Sequence, residues 1–407
     1  MFGLEKLFRR QPSKARFAQD LLKSLRVAHP DKEIVYDEAQ YQIRIDKTGV
    51  VNLHNLYIDY CRGDKETRHK ILTRSAQDVA VPRDITDNLD EARAQLLPVL
   101  RHMAGLDSTR LDMNLQALNG DLCEHFALLP LSTTLAIAVA YDTEYAVHQV
   151  ERTRLADWGV TLGQAYDIAV DNLRHKAAPA FEQIVPGVYL SRFGDFYDAV
   201  RLLLPELAWQ LDLGGTPVAM VPNRTCLLLA SDENQAALNA MVDIAERILL
   251  EEPRPLGADM FRAGDDGFVE WWPAGDLGSR LRNLQMRCLS SDYQDQQNVL
   301  RQMLARQGQA DDIFVATYTL VQKEGRALLQ SYSVLTSGVP TWLPKTDLVA
   351  FMEQTDASPL MMAWEQFAEI AGNLLEPLPY VLPRYRVMQD PDDEQLARMR
   401  ALAAART

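Results

Sequence analysis

Thr133-Thr134-Leu135-Ala136-Ile137-Ala138-Val139-Ala140-Tyr141, followed by Asp142-Thr143 and then Glu144-Tyr145-Ala146-Val147-His148-Gln149-Val150, is the stretch on which the fold class turns. The first run, rich in Ala, Val, Ile and Leu, is the most strand-like in the chain. Asp142-Thr143 supplies a turn, and residues 144–150 return, so the pattern predicts an antiparallel hairpin. A second hairpin is predicted from Ile313–Lys323 and Ala327–Ser337, turning at Glu324-Gly325-Arg326. Hairpins recur along the chain and no βαβ alternation is sustained. The expected class is therefore α+β, antiparallel sheets flanked by helices, rather than a doubly wound parallel sheet.

Working outward, three segments share a rhythm of helix, two or three antiparallel strands, and helix, although no residue-level repeat underlies it. They are read as α+β modules at 1–105, 106–257 and 258–407. In the first, Phe17, Leu21, Leu22 and Leu25 lie on one helix face. A meander follows through Ile34–Tyr36, Tyr41–Ile45 and Val50–Leu53, then a broken helix to Val79 and a helix over Glu91–Met103. In the second, Thr161 caps a helix containing Leu162, Ala165, Ala169 and Leu173. Strands are expected at 180–185, 187–193, 217–221 and 225–230, a short helix at Phe196–Leu204, and a long helix at Asn234–Leu250 capped by Asp232. The third carries a strand at Phe268–Trp272, an amphipathic helix at Leu277–Gln307, a strand at Asp347–Met352, a helix at Leu360–Leu375 and a strand at Tyr380–Val387. Asp390–Asp393 then cap a terminal helix, placing acids where the helix dipole favours them.

At 407 residues, 47% hydrophobic and 24% charged, the chain can build two or three globular cores. A formal charge of −14 argues against nonspecific nucleic-acid binding, which needs clustered Lys and Arg. The four cysteines, Cys61, Cys123, Cys226 and Cys288, form no CxxC pair, so buried thiols are expected rather than a zinc site or disulfide scaffold. No secretory signal or membrane-spanning run is present, which points to the cytoplasm.

A succession of motifs adds a family. Leu53-His54-Asn55-Leu56-Tyr57-Ile58-Asp59-Tyr60, Tyr141-Asp142-Thr143, Leu155-Ala156-Asp157-Trp158-Gly159-Val160 and Ala169-Val170-Asp171-Asn172-Leu173 are followed by Gly194-Asp195-Phe196-Tyr197-Asp198-Ala199-Val200-Arg201. Val221-Pro222-Asn223-Arg224, running into Leu227-Leu228-Leu229, completes the series. From about Phe17 to Trp272 this order resembles the YtpQ-like family of uncharacterised bacterial proteins, and residues 273–407 lie beyond the resemblance. The family has no assigned activity, so the resemblance implies a bacterial cytoplasmic protein and no catalytic residues.

The chemistry-bearing residues each have a structural role open to them. Seven histidines are present, but no Ser occupies a nucleophile elbow and no glycine-rich phosphate loop occurs. Cys123 and His125 are near in sequence only. Asp195 and Asp198 bracket Phe196-Tyr197 and could supply part of a cation site. An N-cap at Asp195 and an Asp198–Arg201 ion pair explain the same residues, so no metal and no cofactor is expected. Trp271 and Trp272 stand side by side in a predicted strand and point to opposite faces: one ring can enter the core, and the other is either covered by the C-terminal segment or lies at a contact surface. Leu360-Met361-Met362 with Trp364 and Phe367 reads as core, and the arginines of Leu277–Gln307 as a solvated face.

The expected function is a non-enzymatic protein-binding or adaptor module. Its binding residues are Trp271, Trp272, Asp195, Tyr197, Asp198 and Arg201, and its partner is a protein rather than nucleic acid or an integral membrane. Helix-flanked antiparallel sheets with an acidic surface are similar in architecture to secretion-chaperone-like modules that hold other polypeptides. The alternative is an enzyme with a cleft between modules lined by residues 194–201.

Overall fold

The computed structural model describes residues 12–38, 41–46, 49–62, 65–78, 86–107, 126–143, 147–176, 180–252, 255–322, 325, 327–354 and 358–404. The chain divides into two compact units. One holds the described residues of 1–99, 138–178 and 247–255, and the other those of 100–137, 179–246 and 256–407.

The first unit opens with α1 (Lys14–Ala28), capped by Ser13, whose hydroxyl accepts the Arg16 N–H at 3.2 Å. Its predicted stripe is buried against an antiparallel meander of β1 (Ile34–Asp37), β2 (Gln42–Ile45) and β3 (Gly49–Asn52). Ile34 faces Ile45, and Ile43 faces Val51. The predicted broken helix is α2 (Leu53–Arg62) and α3 (Lys65–Asp78). Phe17, Leu21, Leu25, Ile43 and Leu53 form the core, and the Phe17 ring lies 4.8 Å from that of Tyr60.

The helix expected over Glu91–Met103 is found only as the short α4 (Leu89–Ala92) and a 3-10 turn, after which Leu96–His102 is strand β4. Pro98 explains the change, because it has no N–H for a helix and clashes with the preceding turn. Leu96, Leu97, Val99 and Leu100 are all buried, as in a strand covered on both faces. β4, β5 (Leu128–Pro130), β6 (Leu135–Asp142) and β7 (Val147–Gln149) share a sheet, and β6 and β7 form the predicted hairpin with Ala140 opposite Gln149. After α5 (Arg152–Asp157), α6 (Leu162–His175) begins with a reciprocal cap: Gln164 N–H donates to Thr161 Oγ1 (3.2 Å) and Thr161 N–H to Gln164 Oε1 (2.9 Å).

The second unit holds a six-stranded antiparallel sheet. Its strands are β8 (Phe181–Val185), β9 (Val188–Ser191), β10 (Pro217–Met220), β11 (Leu228–Ser231), β12 (Met260–Gly264) and β13 (Gly267–Glu270), in the order β13-β12-β10-β11-β9-β8. Between β9 and β10 lie a 3-10 helix, Ala199–Leu203, and α7 (Pro205–Trp209). At the β8–β9 turn, Gly187 has φ +79°, and a Cβ there would stand 2.7 Å from Asn234 Nδ2, so the close approach requires glycine. Asn234, not Asp232, caps α8 (Gln235–Glu251): its side chain accepts the Ala237 N–H at 3.0 Å. Asp232 is held elsewhere, accepting Thr216 N–H (2.8 Å) and Arg262 Nε–H (2.9 Å).

The amphipathic helix of the third segment is α9 (Gly275–Arg306). Its arginines lie at the surface, where two of them make ion pairs. Arg287 pairs with Glu246 at 2.6 Å, and Arg280 pairs with Asp243 and donates to Asn239. Two four-stranded sheets follow, built from β14 (Phe314–Val315), β15 (Thr319–Gln322), β16 (Leu329–Thr336), β17 (Thr341–Pro344), β18 (Leu348–Met352), β19 (Leu360–Ala363), β20 (Glu376–Pro377) and β21 (Arg384–Val387). Their orders are β14-β17-β21-β20 and β15-β16-β18-β19, each with one parallel pair, β14 with β17 and β16 with β18.

The predicted second hairpin is β15–β16, but its first strand is split. Residues 313–315 leave it for the other sheet because side chains capture the backbone at the crossing. Gln297 donates to Val315 O (2.7 Å), and Arg384 to Ala316 O (2.9 Å). The helix expected from Leu360 begins only at Trp364, as α10 (Trp364–Ala371), since Leu360–Ala363 pairs with β18. Met362 and Phe367 nonetheless lie in one core with Leu343, Val349 and Phe351. The terminal helix α11 (Asp393–Ala404) is capped by Asp392, which accepts the Gln395 N–H at 2.8 Å.

The class is α+β. Among the described residues no helix is long and apolar enough to cross a membrane. Cys61, Cys226 and Cys288 are free thiols, and Cys123 lies outside the described residues.

Candidate functional site

The segment after β9 folds back on itself. Gly194 has φ +69° and Phe196, a residue with a Cβ, has φ +67°, so two left-handed positions bracket Asp195. The reversal sets Asp195 over Arg201, six residues on. Arg201 donates to both carboxylate oxygens, at 2.8 and 2.6 Å, in the two-pronged geometry that suits guanidinium and carboxylate. Asp195 Oδ1 also accepts the Tyr197 N–H at 3.0 Å. Burial by itself raises the Asp195 pKa, but the bonds from Arg201 and Tyr197 outweigh it and hold the carboxyl below its usual range.

Arg201 is 1% exposed, and its guanidinium lies 3.6 Å from the centre of the Phe193 ring. That ring meets Phe181 edge-on at 5.7 Å, tying the segment to edge strand β8. The ion pair expected between Asp198 and Arg201 is not formed. Asp198 is buried and turned back, accepting the Phe193 N–H at 3.0 Å, while Arg201 is held by Asp195. The predicted helix over 196–204 is correspondingly reduced to the 3-10 helix Ala199–Leu203, and Pro205 starts α7. Tyr197 is buried within the same loop.

Trp271 and Trp272 lie just past β13, where the Trp271 N–H continues the ladder to Met260 O at 2.8 Å. Trp271 is partly buried and Trp272 is 49% exposed. The 3-10 helix Ala199–Leu203 packs against β13, so the two segments singled out in the sequence meet. The two segments expose large apolar side chains, Phe196 (66%), Val269 (60%) and Trp272. Asp265, Asp266 and Asp276 are exposed on the flanks of β13.

Other polar groups in the same unit escaped sequence reasoning. Asp259, buried at the start of β12, accepts from the hydroxyls of Ser132 and Thr134 and from Gln285 Nε2 at 3.3 Å. Asp107, also buried, accepts Val381 N–H (2.7 Å), Leu382 N–H (3.1 Å) and Gln296 Nε2 (2.9 Å). Each network joins residues more than a hundred positions apart, so no local pattern announces it. The nearest signal was the polar pair Gln296-Gln297 in an otherwise amphipathic helix.

Among the described residues, no group of three or more His, Cys, Asp or Glu side chains is placed to hold a metal ion. Comparison with known proteins gives no match to a family model, a curated protein or a solved structure.

Proposed function

We propose that this chain is a protein-binding or adaptor module of the YtpQ-like kind, acting in the bacterial cytoplasm, with its contact surface around β13 and residues 194–201. The observation that carries the reading is the exposure of Phe196, Val269 and Trp272 on two segments, residues 194–203 and β13 with its continuation, that pack against each other. Large apolar side chains held by a rigid scaffold lose little freedom on binding, and aromatic rings of this kind anchor protein interfaces. The acids beside β13 favour a partner whose apolar contact residues are flanked by Lys or Arg. The carboxylates and guanidinium of 194–201 support the same reading over an enzyme, because they bind each other and the local backbone.

The test is photocrosslinking of the full chain in its host, with a benzophenone amino acid at position 272 or 196 and, as control, at the exposed Val27. One polypeptide is expected to be captured from positions 272 and 196 and not from 27. It should also be lost from native-level affinity purifications of a Trp272→Ala/Phe196→Ala chain whose melting temperature is unchanged. Crosslinks that do not depend on position, or no stoichiometric partner across growth conditions, would overturn the reading.

A further inference from the structure

The first compact unit holds a hollow of about 350 Å³, at the lower end of small-molecule sites, where the end of α2 meets the start of α3. Its lining is Tyr60, Lys65, Arg68, His69 and Leu72: three basic side chains, one phenol, one apolar side chain and no acid. The helical repeat explains the grouping. Lys65, Arg68, His69 and Leu72 stand at i, i+3, i+4 and i+7 of α3, which is one face of that helix. Glu66, the acid of the first turn, lies on another face and pairs with Lys70 at 2.7 Å. In a chain of formal charge −14, a hollow whose charged lining is wholly basic departs from the general surface.

Its base is built. Tyr60 and Leu72 pack against the core of Phe17, Leu21 and Ile43. Arg68 is fixed across the junction of the two helices: Nε donates to Tyr60 O (2.8 Å) and Nη2 to Cys61 O (3.1 Å), and the guanidinium lies 5.3 Å from the centre of the Tyr60 ring. Those bonds hold the cation in place without neutralising it. Among the described residues Arg68 has no ion pair and its Nη1 no acceptor, and the exposed side chains of Lys65 and His69 make neither ion pair nor hydrogen bond. Basic groups gathered at one hollow disfavour each other's charge, and an anion placed among them reverses that cost.

We propose that this hollow binds the phosphate of a small, soluble phosphomonoester. Such a phosphate carries nearly two negative charges and three acceptor oxygens, which suit the Lys65 ammonium, Arg68 Nη1 and the His69 ring together. A carboxylate brings one charge and leaves a donor unused. Tyr60 and Leu72 border the organic part of the ligand.

Titration of the full chain with phenyl phosphate at low ionic strength, followed by calorimetry and by ligand-observed NMR, tests the site. One-to-one binding is expected with Kd of about 1 mM or tighter, and benzoate should bind at least about tenfold more weakly. Lys65→Glu should weaken phenyl phosphate at least about tenfold, and His69→Ala about threefold. Both side chains are exposed and unbonded, so both variants should melt with the parent. Arg306→Glu makes the same change of charge as Lys65→Glu at an exposed position near the end of α9, and should keep the parental affinity. Absence of saturable binding at about 10 mM, equal binding of benzoate, parental affinity in Lys65→Glu, or an equal loss in Arg306→Glu would each overturn the proposal. Capture by vesicles containing phosphatidic acid without any binding of phenyl phosphate would overturn it as well, by making the ligand a membrane surface.

Discussion

A guanidinium without solvent needs its counter-charge, and at Arg201 that charge comes from one residue. The Arg201 side chain is fully buried, whereas Asp195 keeps about a third of its surface, so the pair is anchored from inside and screened only on the carboxylate side. Asp195→Asn keeps the shape and removes the charge, leaving the buried cation uncompensated. The expected loss is about 3 kcal/mol at neutral pH, the low end for a buried pair because one partner is partly exposed. Replacing both groups, as in Asp195→Asn/Arg201→Met, should cost less than Asp195→Asn alone, since no lone charge remains. The pH dependence has a definite sign. The folded-state pKa of Asp195 lies below its ordinary value, so its contribution is complete above the unfolded carboxyl pKa and is lost as pH falls through the folded one. Denaturant titrations between about pH 7 and 2 should therefore show the gap between parent and Asp195→Asn closing below about pH 4. A gap independent of pH would show that charge is not what Asp195 supplies. The residue types of this site were visible in sequence, but their pairing was not. Helical spacing favoured Asp198 with Arg201, whereas the left-handed turns at Gly194 and Phe196 carry Asp195 there instead.

At the scale of elements, periodic stretches were legible and continuous apolar runs were not. The α1 stripe, the β6–β7 hairpin, the capped α6 and the long α9 all appear where periodicity and turn residues place them. Leu96–Leu100 and Leu360–Met362 were misassigned because short continuous apolar runs carry no period, and only Pro98 or the pairing partner decides between helix and strand. The β14–β15 crossing was illegible because its cause is tertiary. Gln297, buried on α9, donates to Val315 O and to Thr317 Oγ1 (3.0 Å), supplying the bonds that the sheets do not. Gln297→Leu removes both donors while keeping most of the volume and leaves Val315 O only the long bond from Arg301 (3.4 Å), so it should cost about 1 kcal/mol. Hydrogen exchange should read this locally, with amides of residues 314–318 exchanging at least about tenfold faster and those of β16 and β18 little changed. Unchanged protection at 314–318 would mean that the ladder alone holds the crossing.

The whole chain is acidic, at −14, but its acids serve several local structures rather than one recognition face: Asp392 caps a helix, Asp232 holds Thr216 and Arg262, and Asp195 neutralises Arg201. Neither charge nor periodicity reveals which distant segments share a body, so the two compact units, each assembled from separated pieces of chain, had no linear signature. Their cores make a different kind of statement. One hydrophobic core is formed wholly by residues between Phe17 and Ala76, and another wholly by residues between Ala316 and Met399. Contacts within the first are local in sequence, so its formation requires little loop closure and no residue from the second. Leu25 and Phe367 are each fully buried at the centre of one core. Leu25→Ala and Phe367→Ala should each cost about 3 kcal/mol through lost burial and the cavity left behind. If stability is held locally by each core, hydrogen exchange will report the loss in different places. Leu25→Ala should accelerate exchange in α1, β2 and α2 while β17, β18 and α10 keep parental protection, and Phe367→Ala should do the reverse. Uniform loss of protection in both variants would mean that the chain opens as one cooperative body, and a local mutation in either core would then weaken the β13 surface as well.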